Sequence, residues 1–193
     1  MAAYAILGED TSDADTLEVI VKRLAGQTTD VKSRGFDGCG EMLSKGAKQI
    51  GLFASLGYKR FIVSYDADTD DPNRRRQTVM EKIVWPAGVA KDCCVIIPVQ
   101  EIEAWILADI EAVTNVIPSW RPSPFKENPE AVNRPKEHLE WLSRSSNKKP
   151  RYSHANHNPR VAEHLDLKIV RERCSSFRPL FEWIGKAESE LPN

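Results

Sequence analysis

The feature that most constrains the fold is an apolar run that ends in a cluster of acids. Residues 61–63 are Phe-Ile-Val, and aspartates occupy positions 66, 68, 70 and 71. A short apolar run bounded by turn-type residues is typical of a buried strand in a parallel sheet. Ligand sites of open α/β sheets lie at the carboxyl ends of the strands. We therefore expect the functional edge of the sheet directly after this run.

Two of these acids, Asp66 and Asp68, are the strongest candidates for metal binding. They lie two positions apart, so their side chains point to the same side of an extended chain. Two carboxylates held that close repel each other unless a cation neutralises them. Oxygen ligands suit a hard ion, so the pattern predicts Mg²⁺, or Mn²⁺ in its place. Asp70 and Asp71 are interpreted as a solvated turn before Pro72.

The N-terminal part of the chain repeats the order of strand and helix. Further strand patterns lie at 4–8, 31–36 and 93–97, and helical patterns at 12–24, 41–56, 73–84 and 100–109. This alternation predicts an α/β, Rossmann-like domain of three layers, in which helices flank a mainly parallel sheet of about four strands. From residue 117 onward, frequent prolines interrupt the chain. We therefore expect an α/β core over 1–116 and a basic, Pro-rich extension with helices over 117–193, packed on that core.

Two further acids follow other predicted strands. Glu9 comes directly after the strand at 4–8, and Glu103 lies in the helix that follows the strand at 93–97. Because the carboxyl ends of parallel strands share one edge, we expect both acids to join Asp66 and Asp68 there. Such a site holds one or two Mg²⁺ ions. Glu9 would bind metal or act as general base, and Glu103 would complete a second metal position or orient a ligand.

Basic residues suggest where a polyanion could bind. Three adjacent arginines, at 74–76, lie in the first turns of the helix after the aspartate cluster, and at most one or two of them can face the site. The segment 121–160 combines cations with aromatic side chains. Basic residues mixed with aromatics suit single-stranded or looped nucleic acid. The alternative, equally open, is that 117–160 is a polar excursion packed on the edge of the domain. The candidate contacts are Arg74, Arg75, Lys148, Lys149, Arg151, His154 and His157.

Composition excludes some classes of protein. No run approaches the ~18 consecutive apolar residues of a membrane span. The N-terminus lacks the basic region of a signal peptide. The four cysteines include no Cys-x-x-Cys pair, as expected of reduced thiols in a cytoplasmic protein. The net charge of −1 hides a small asymmetry, because residues 1–109 carry 13 Lys+Arg against 17 Asp+Glu and residues 110–193 carry 14 against 11. An acidic half could hold metal and a basic half a polyanion, although so small an imbalance also arises by chance.

The chain resembles the toprim domains, which share an acid after the first strand and an Asp-x-Asp after a later one. The matching residues are Gly8-Glu9 and Asp66-Ala67-Asp68. More narrowly, it resembles a toprim-like family of small bacterial proteins. That resemblance rests on 98–109, on Asn158-Pro159 through 164–167, and on 175–178.

The resemblance implies an activity and a partner. It implies a Mg²⁺-dependent endonuclease that hydrolyses phosphodiester bonds in DNA or RNA, with Glu9, Asp66, Asp68 and Glu103 at the site. It also implies an ABC-type ATPase as partner in a bacterial antiphage system. Two alternatives remain. One is a non-catalytic, metal-binding or regulatory partner of an ATPase. The other is a haloacid-dehalogenase-like phosphatase, in which Asp66 would be the nucleophile and Asp68 the acid/base.

Overall fold

The central element is a four-stranded, fully parallel sheet. The structure is a computed structural model, and it describes residues 3–145 and 150–189. The strands lie in the order β2-β1-β3-β4, as the α/β prediction requires. They are β1 (Ala3–Gly8), β2 (Asp30–Gly35), β3 (Arg60–Ser64) and β4 (Cys93–Ile96).

Helices cover both faces of this sheet and complete a three-layer α/β domain. Along β1, Tyr4 and Ile6 enter one apolar cluster, whereas Ala5 and Leu7 enter a second. This division follows from the alternation of side chains along a strand. Both faces of the sheet are therefore buried at β1, β3 and β4, which explains why these strands are largely apolar rather than alternating. The edge strand β2 is polar and partly exposed.

The second cluster is covered by two helices. They are α2 (Cys39–Ser55) and α3 (Pro72–Val79), and α3 continues into a single π turn at Met80–Val84. Gly46 lets α2 approach this turn closely, because a Cβ there would lie 2.9 Å from the Ile83 side chain.

The first cluster lies on the opposite face of the sheet. The helices there are α1 (Thr11–Ala25), α4 (Glu103–Ala108), α5 (Pro135–Ser145), α6 (His154–Ala162), α7 (Leu167–Arg173) and α8 (Arg178–Ser189). Short 3₁₀ segments lie at Ile110–Asn115 and Pro129–Ala131. One cluster therefore takes buried residues from before and after residue 117. The domain boundary placed there from the sequence stays a prediction.

Two expectations about helices were wrong in detail. The helix expected from residue 100 begins at Glu103, after an irregular stretch that carries Glu101. The prolines after residue 117 are expected to interrupt the chain, yet Pro159 lies inside a helix, α6. A proline removes one hydrogen bond to the carbonyl four residues earlier, here that of Ala155. Ala155 is exposed, so water can satisfy its carbonyl.

No helix within 3–145 or 150–189 is both long enough and apolar enough to cross a membrane.

Candidate functional site

The turn between β1 and α1 is held close to the sheet by two glycines. Gly8 and Gly35 are register partners at the carboxyl ends of β1 and β2. A Cβ on Gly8 would lie 2.8 Å from the backbone nitrogen of Ala14, and a Cβ on Gly35 would overlap the backbone of Asp10 and Thr11. The start of α1 can therefore pass directly over the strand ends. This close approach fixes the acids of the turn at the edge of the sheet.

Glu9 links the ends of the two central strands. Its Oε1 accepts a hydrogen bond of 2.9 Å from the backbone N–H of Asp66, which follows β3. Its backbone carbonyl accepts a bond of 3.0 Å from Gly38, which precedes α2. The predicted convergence of these two acids is thus present in the structure.

Asp13 is a buried acid in the first turn of α1. The helix begins with Asp10 as its N-cap, whose side chain accepts a bond of 2.9 Å from the Asp13 N–H. The Asp13 side chain is itself buried. An acid in the first turn gains from the helix dipole, but burial makes its charge costly. Asp13 therefore belongs to the site and does not merely favour the helix start.

Asp66 and Asp68 do not share one environment. Asp66 is partly buried at the end of β3. Asp68 has a φ of 51°, so the chain is not extended there and the same-side geometry expected from a strand does not apply. Its carboxylate lies 3.3 Å from Arg75 Nη2, and Arg75 Nε lies 3.1 Å from Asp70. Arg75 also donates a bond of 3.0 Å to the Tyr65 hydroxyl. Asp68 thus lies at the exposed rim of the site.

Glu103 is the most deeply buried acid of the group, with a relative exposure of 1 %. Its Oε1 accepts a bond of 2.9 Å from Asn158 Nδ2 on α6. The Asn158 side-chain oxygen accepts a bond from the buried Tyr152 hydroxyl. Glu103 Oε2 has no hydrogen-bond partner among the described residues. A buried carboxylate oxygen without a donor is costly, so this atom is available to a ligand.

A lysine from the Pro-rich extension enters the acidic group. The backbone N–H of Lys136, at the start of α5, donates a bond of 3.0 Å to Glu101 Oε2, and its Nζ lies 3.8 Å from Glu101 Oε1. Burial lowers the pKa of Lys136, but the charges of Glu103, Glu101 and Asp13 outweigh burial and raise it. Lys136 is therefore held as a cation beside the acids.

The acids raise one another's pKa. Burial raises the pKa of Glu9 to about 7, with a further contribution from the charge of Asp68. Burial and the charge of Glu101 raise the pKa of Glu103 to about 7, although Lys136 opposes the shift. Burial raises the pKa of Asp66 well above its usual range, and the charges of Asp13 and Glu9 add to this effect. These carboxylates are therefore only partly ionised near neutral pH.

Asp13 behaves in the same way. Burial raises the pKa of its carboxyl well above the usual range, and the neighbouring charges of Asp10 and Glu103 add to the shift. Clusters of acids with strongly raised pKa values are a mark of functional sites. This cluster lies at the carboxyl ends of β1 and β3, where ligands bind in open α/β sheets.

The donor set fits a hard divalent cation. The acids contribute only oxygen atoms, and Glu103 Oε2 is open for a ligand. Within the two described ranges, however, no three Asp, Glu, His or Cys side chains are close enough together to hold a metal ion as they stand. Binding would therefore need side-chain rotation, which removal of like-charge repulsion by the cation would favour.

The predicted nucleic-acid contacts are scattered. Arg74 and Arg151 are exposed, and Arg75 lies at the rim beside Asp68. His157 is buried, with its Nδ1 3.0 Å from the backbone N–H of Ser153 and its ring stacked on Tyr152, so it is not at the surface. His154 is half-buried, with Nδ1 3.8 Å from Glu140. Lys148 and Lys149 lie outside the described residues.

Sequence reasoning missed three residues of the site. Asp13 lies in the first turn of the predicted helix, where an acid is already explained by the helix dipole, so its burial gave no separate signal. Lys136 and Asn158 gave no local signal. The sequence separation is 35 residues between Lys136 and Glu101, and 55 residues between Asn158 and Glu103. Only the packing of α5 and α6 on α4 brings them to the acids.

Comparison with known proteins identifies the family. No curated protein and no solved structure matches the chain. The chain matches the family model DUF4276, described as a domain of unknown function, over residues 11–185. This range runs from α1 through most of α8. It includes every acid of the site except Glu9 and Asp10. The chain therefore belongs to the DUF4276 family.

Proposed function

We propose that this protein is a Mg²⁺-dependent, toprim-type endonuclease that hydrolyses phosphodiester bonds in DNA or RNA. The observation that carries the proposal is the group of mutually destabilised acids, Glu9, Asp13, Asp66 and Glu103, at the carboxyl ends of β1 and β3. A divalent cation would neutralise them, and phosphodiester hydrolysis is chemistry that such an ion assists. The choice of a nucleic acid as substrate comes from the toprim resemblance, which is an analogy at the level of the fold.

Each acid would have a distinct role. Asp66, with Glu9 and Asp13 beside it, would hold the cation, and Asp68 would join when its pairing with Arg75 opens. When bound, Mg²⁺ or Mn²⁺ polarises a phosphoryl oxygen and lowers the pKa of a coordinated water. Glu103, with a pKa of about 7, can accept a proton at the operating pH. Asn158 orients Glu103 by donating to its Oε1.

Arg75 would help to position the substrate at the rim. Its guanidinium is planar and always charged, so it suits a phosphate of the backbone. It is held in place by Tyr65, over whose ring it lies at 5.3 Å from the centroid. Phosphate arriving at Arg75 would compete with Asp68 and release that carboxylate toward the metal.

The proposal also places the protein in a bacterial antiphage system, in the cytoplasm, with an ABC-type ATPase as partner. The partner and the system come from the toprim-like resemblance. The cytoplasmic location is supported by the four cysteines, all of which are unpaired thiols.

A cleavage assay tests the function. The purified protein is incubated with plasmid, single-stranded DNA and total tRNA in the presence of Mg²⁺, Mn²⁺ or EDTA. We expect metal-dependent cleavage that Asp66→Asn and Asp13→Asn each abolish. Asp15→Asn is the matched control, because Asp15 lies two residues further along the same helix and is exposed. Cleavage that survives both site variants would refute the assignment of the site.

The second candidate is a non-catalytic partner of an ATPase, and Lys136 favours it. A lysine held among the acids neutralises part of their charge without any metal. In that case the group would be a structural network. Absence of cleavage, together with an unchanged melting temperature when Mg²⁺ or Mn²⁺ is added, would support this candidate over the nuclease.

A further inference from the structure

A groove lies beside α5, away from the acids. Its cavity has a volume of about 420 Å³ and includes Trp120, Arg121, Phe125, Lys126 and His138 in its lining. Two cations, one acid (Glu127) and three aromatic rings thus line one cleft on the Pro-rich extension, which leaves its lining with more positive than negative side chains. Nothing in the proposed catalytic site uses these residues.

The aromatic rings continue out of the groove as a row. The centroid of His138 lies 5.9 Å from that of Phe125 and 5.9 Å from that of Trp141. The planes of His138 and Trp141 are only 33° apart, and the Trp141 side chain is 60 % exposed. An exposed tryptophan beside another ring offers an open aromatic surface for stacking.

The irregular wall of the groove is held rigid from behind. The Arg173 guanidinium donates to three backbone carbonyls, at 2.5 Å to Ala108, 2.5 Å to Phe125 and 2.7 Å to Glu127. Thr114 Oγ1 donates to the carbonyl of Trp120 at 3.0 Å. A Pro-rich segment without helix or strand is therefore fixed at both ends. Such preorganisation lowers the entropy cost of binding a ligand.

Helix α5 places the groove beside the acids. Lys136, in the first turn of the helix, contacts Glu101. His138 lines the groove, and Trp141 lies beside it, in contact with the His138 ring. At 100° per residue, Lys136 lies 200° from His138 and 140° from Trp141, so the two surfaces lie on opposite sides of one helix. A helix with its side chains is about 10 Å thick. A polymer of a few units could therefore reach from one surface to the other around the N-terminus of α5.

We propose that this groove binds single-stranded nucleic acid. Bases stack on Trp141 and His138, and backbone phosphates contact Arg121 and Lys126. Stacking on aromatic rings beside cations is how proteins hold single strands without sequence preference. The bases of a duplex are stacked on one another inside the helix, so they cannot stack on the exposed ring of Trp141. The further step, delivery of the strand to the acids, rests on the proposed function.

Binding is tested in EDTA, so that no cleavage is needed. The probe is a fluorescein-labelled oligo(dT) and the corresponding oligo(rU), read by anisotropy, with a hairpin duplex in parallel. Trp141→Ala should weaken single-strand binding at least about fivefold, as loss of one stacked base implies. Trp141→Phe should retain most of the affinity. Trp85→Ala is the matched control, because Trp85 is also exposed, at 52 %, but lies on the opposite face of the sheet.

The salt dependence of binding tests the contribution of Arg121 and Lys126. Each phosphate contact contributes about 0.7 to the slope of log affinity against log salt for a single strand. Arg121→Ala combined with Lys126→Ala should therefore reduce this slope by about 1.4. Lys48→Ala combined with Lys91→Ala changes the net charge equally, at exposed positions outside the groove, and should leave the slope unchanged.

Specific outcomes would overturn the proposal. Equal affinities of Trp141→Ala and Trp85→Ala would refute stacking in the groove. A duplex, or heparin, that binds as tightly as oligo(dT) and ignores Trp141→Ala would identify a general polyanion surface instead. Binding that depends on Trp141 in a protein that cleaves nothing would support the groove while refuting the nuclease.

Discussion

At the scale of single residues, two buried glutamates show opposite solutions to the same problem. Glu130 accepts hydrogen bonds from Ser175 N, Ser175 Oγ and Ser176 N, at 2.7–2.9 Å, so its charge is satisfied. Glu103 accepts a side-chain bond from Asn158 at one oxygen, has no partner at the other among the described residues, and lies near other carboxylates. The first fastens two segments of the chain together. The charge of Glu103, by contrast, is destabilised by its surroundings, as is common for groups that bind a ligand.

These environments predict opposite effects of the same substitution. Glu130→Gln places an amide against N–H donors and should destabilise the protein by about 1–3 kcal/mol. Glu103→Gln removes one of several repelling charges and keeps an oxygen for Asn158. It should therefore stabilise the metal-free protein at pH 8. Urea unfolding in EDTA measures both changes. Destabilisation by Glu103→Gln would show that the charge of Glu103 is already satisfied.

Stability should also depend on pH in a defined direction. The pKa values of Glu9 and Glu103 are about 7 in the folded protein, against 4.5 in the unfolded chain. When folding raises the pKa of a carboxyl, its contribution to the stability of the folded protein is fully present at pH values below the pKa of the unfolded chain. That contribution is lost as the pH rises through the pKa of the folded protein. The metal-free protein should therefore become less stable between about pH 4.5 and pH 7. At 1.36 kcal/mol per pKa unit, Glu103 alone accounts for about 3 kcal/mol.

The pH profile has two internal checks. Glu103→Gln should flatten the decline relative to the wild-type protein, because that titration is removed. Mg²⁺ should restore stability at pH 8 and have little effect at pH 5, since protonated acids do not bind it. A wild-type profile that rises steadily from pH 4.5 to 7 would contradict the raised pKa values.

At the scale of elements, the sequence predicts the strands well and the approach of α1 poorly. The apolar runs at 4–8, 61–63 and 93–97 are strands because they are buried on both faces. The positions of Gly8 and Gly35 gave no comparable signal. They matter only because α1 crosses over them, and at Gly35 that contact joins segments distant in sequence. Local patterns record local structure, so a close approach between elements escapes them.

This glycine pair gives a prediction with a matched control. Gly35→Ala should destabilise the protein by about 1–3 kcal/mol, because its Cβ overlaps the backbone of Asp10 and Thr11. Gly51→Ala adds the same methyl group within α2, where it meets open space. It should stabilise the protein by about 0.5–1 kcal/mol through helix propensity. Thermal unfolding of both variants checks the contrast, and equal shifts would contradict the close approach of α1.

At the scale of the whole molecule, the site depends on parts of the chain that the sequence separates. Glu9 and Asp66 could be predicted as neighbours, since parallel strand ends share an edge. Asn158 could not, because it reaches Glu103 only through the packing of α6. The same extension supplies Lys136 and covers Trp105, whose Nε1 donates to Ser176 Oγ at 2.9 Å. The acids at the strand ends are therefore completed by the C-terminal third of the chain.

This dependence predicts a single cooperative unfolding transition. Trp105 and Phe177 pack with ring centroids 5.0 Å apart, within an apolar cluster that takes residues from β1 through α8. Elements that share one core unfold together. Tryptophan fluorescence and far-UV circular dichroism should therefore give the same urea midpoint, with and without Mg²⁺. The fragment 1–116 should not fold, because that cluster would be exposed. Two separate transitions, or a folded fragment, would instead support a boundary near residue 116.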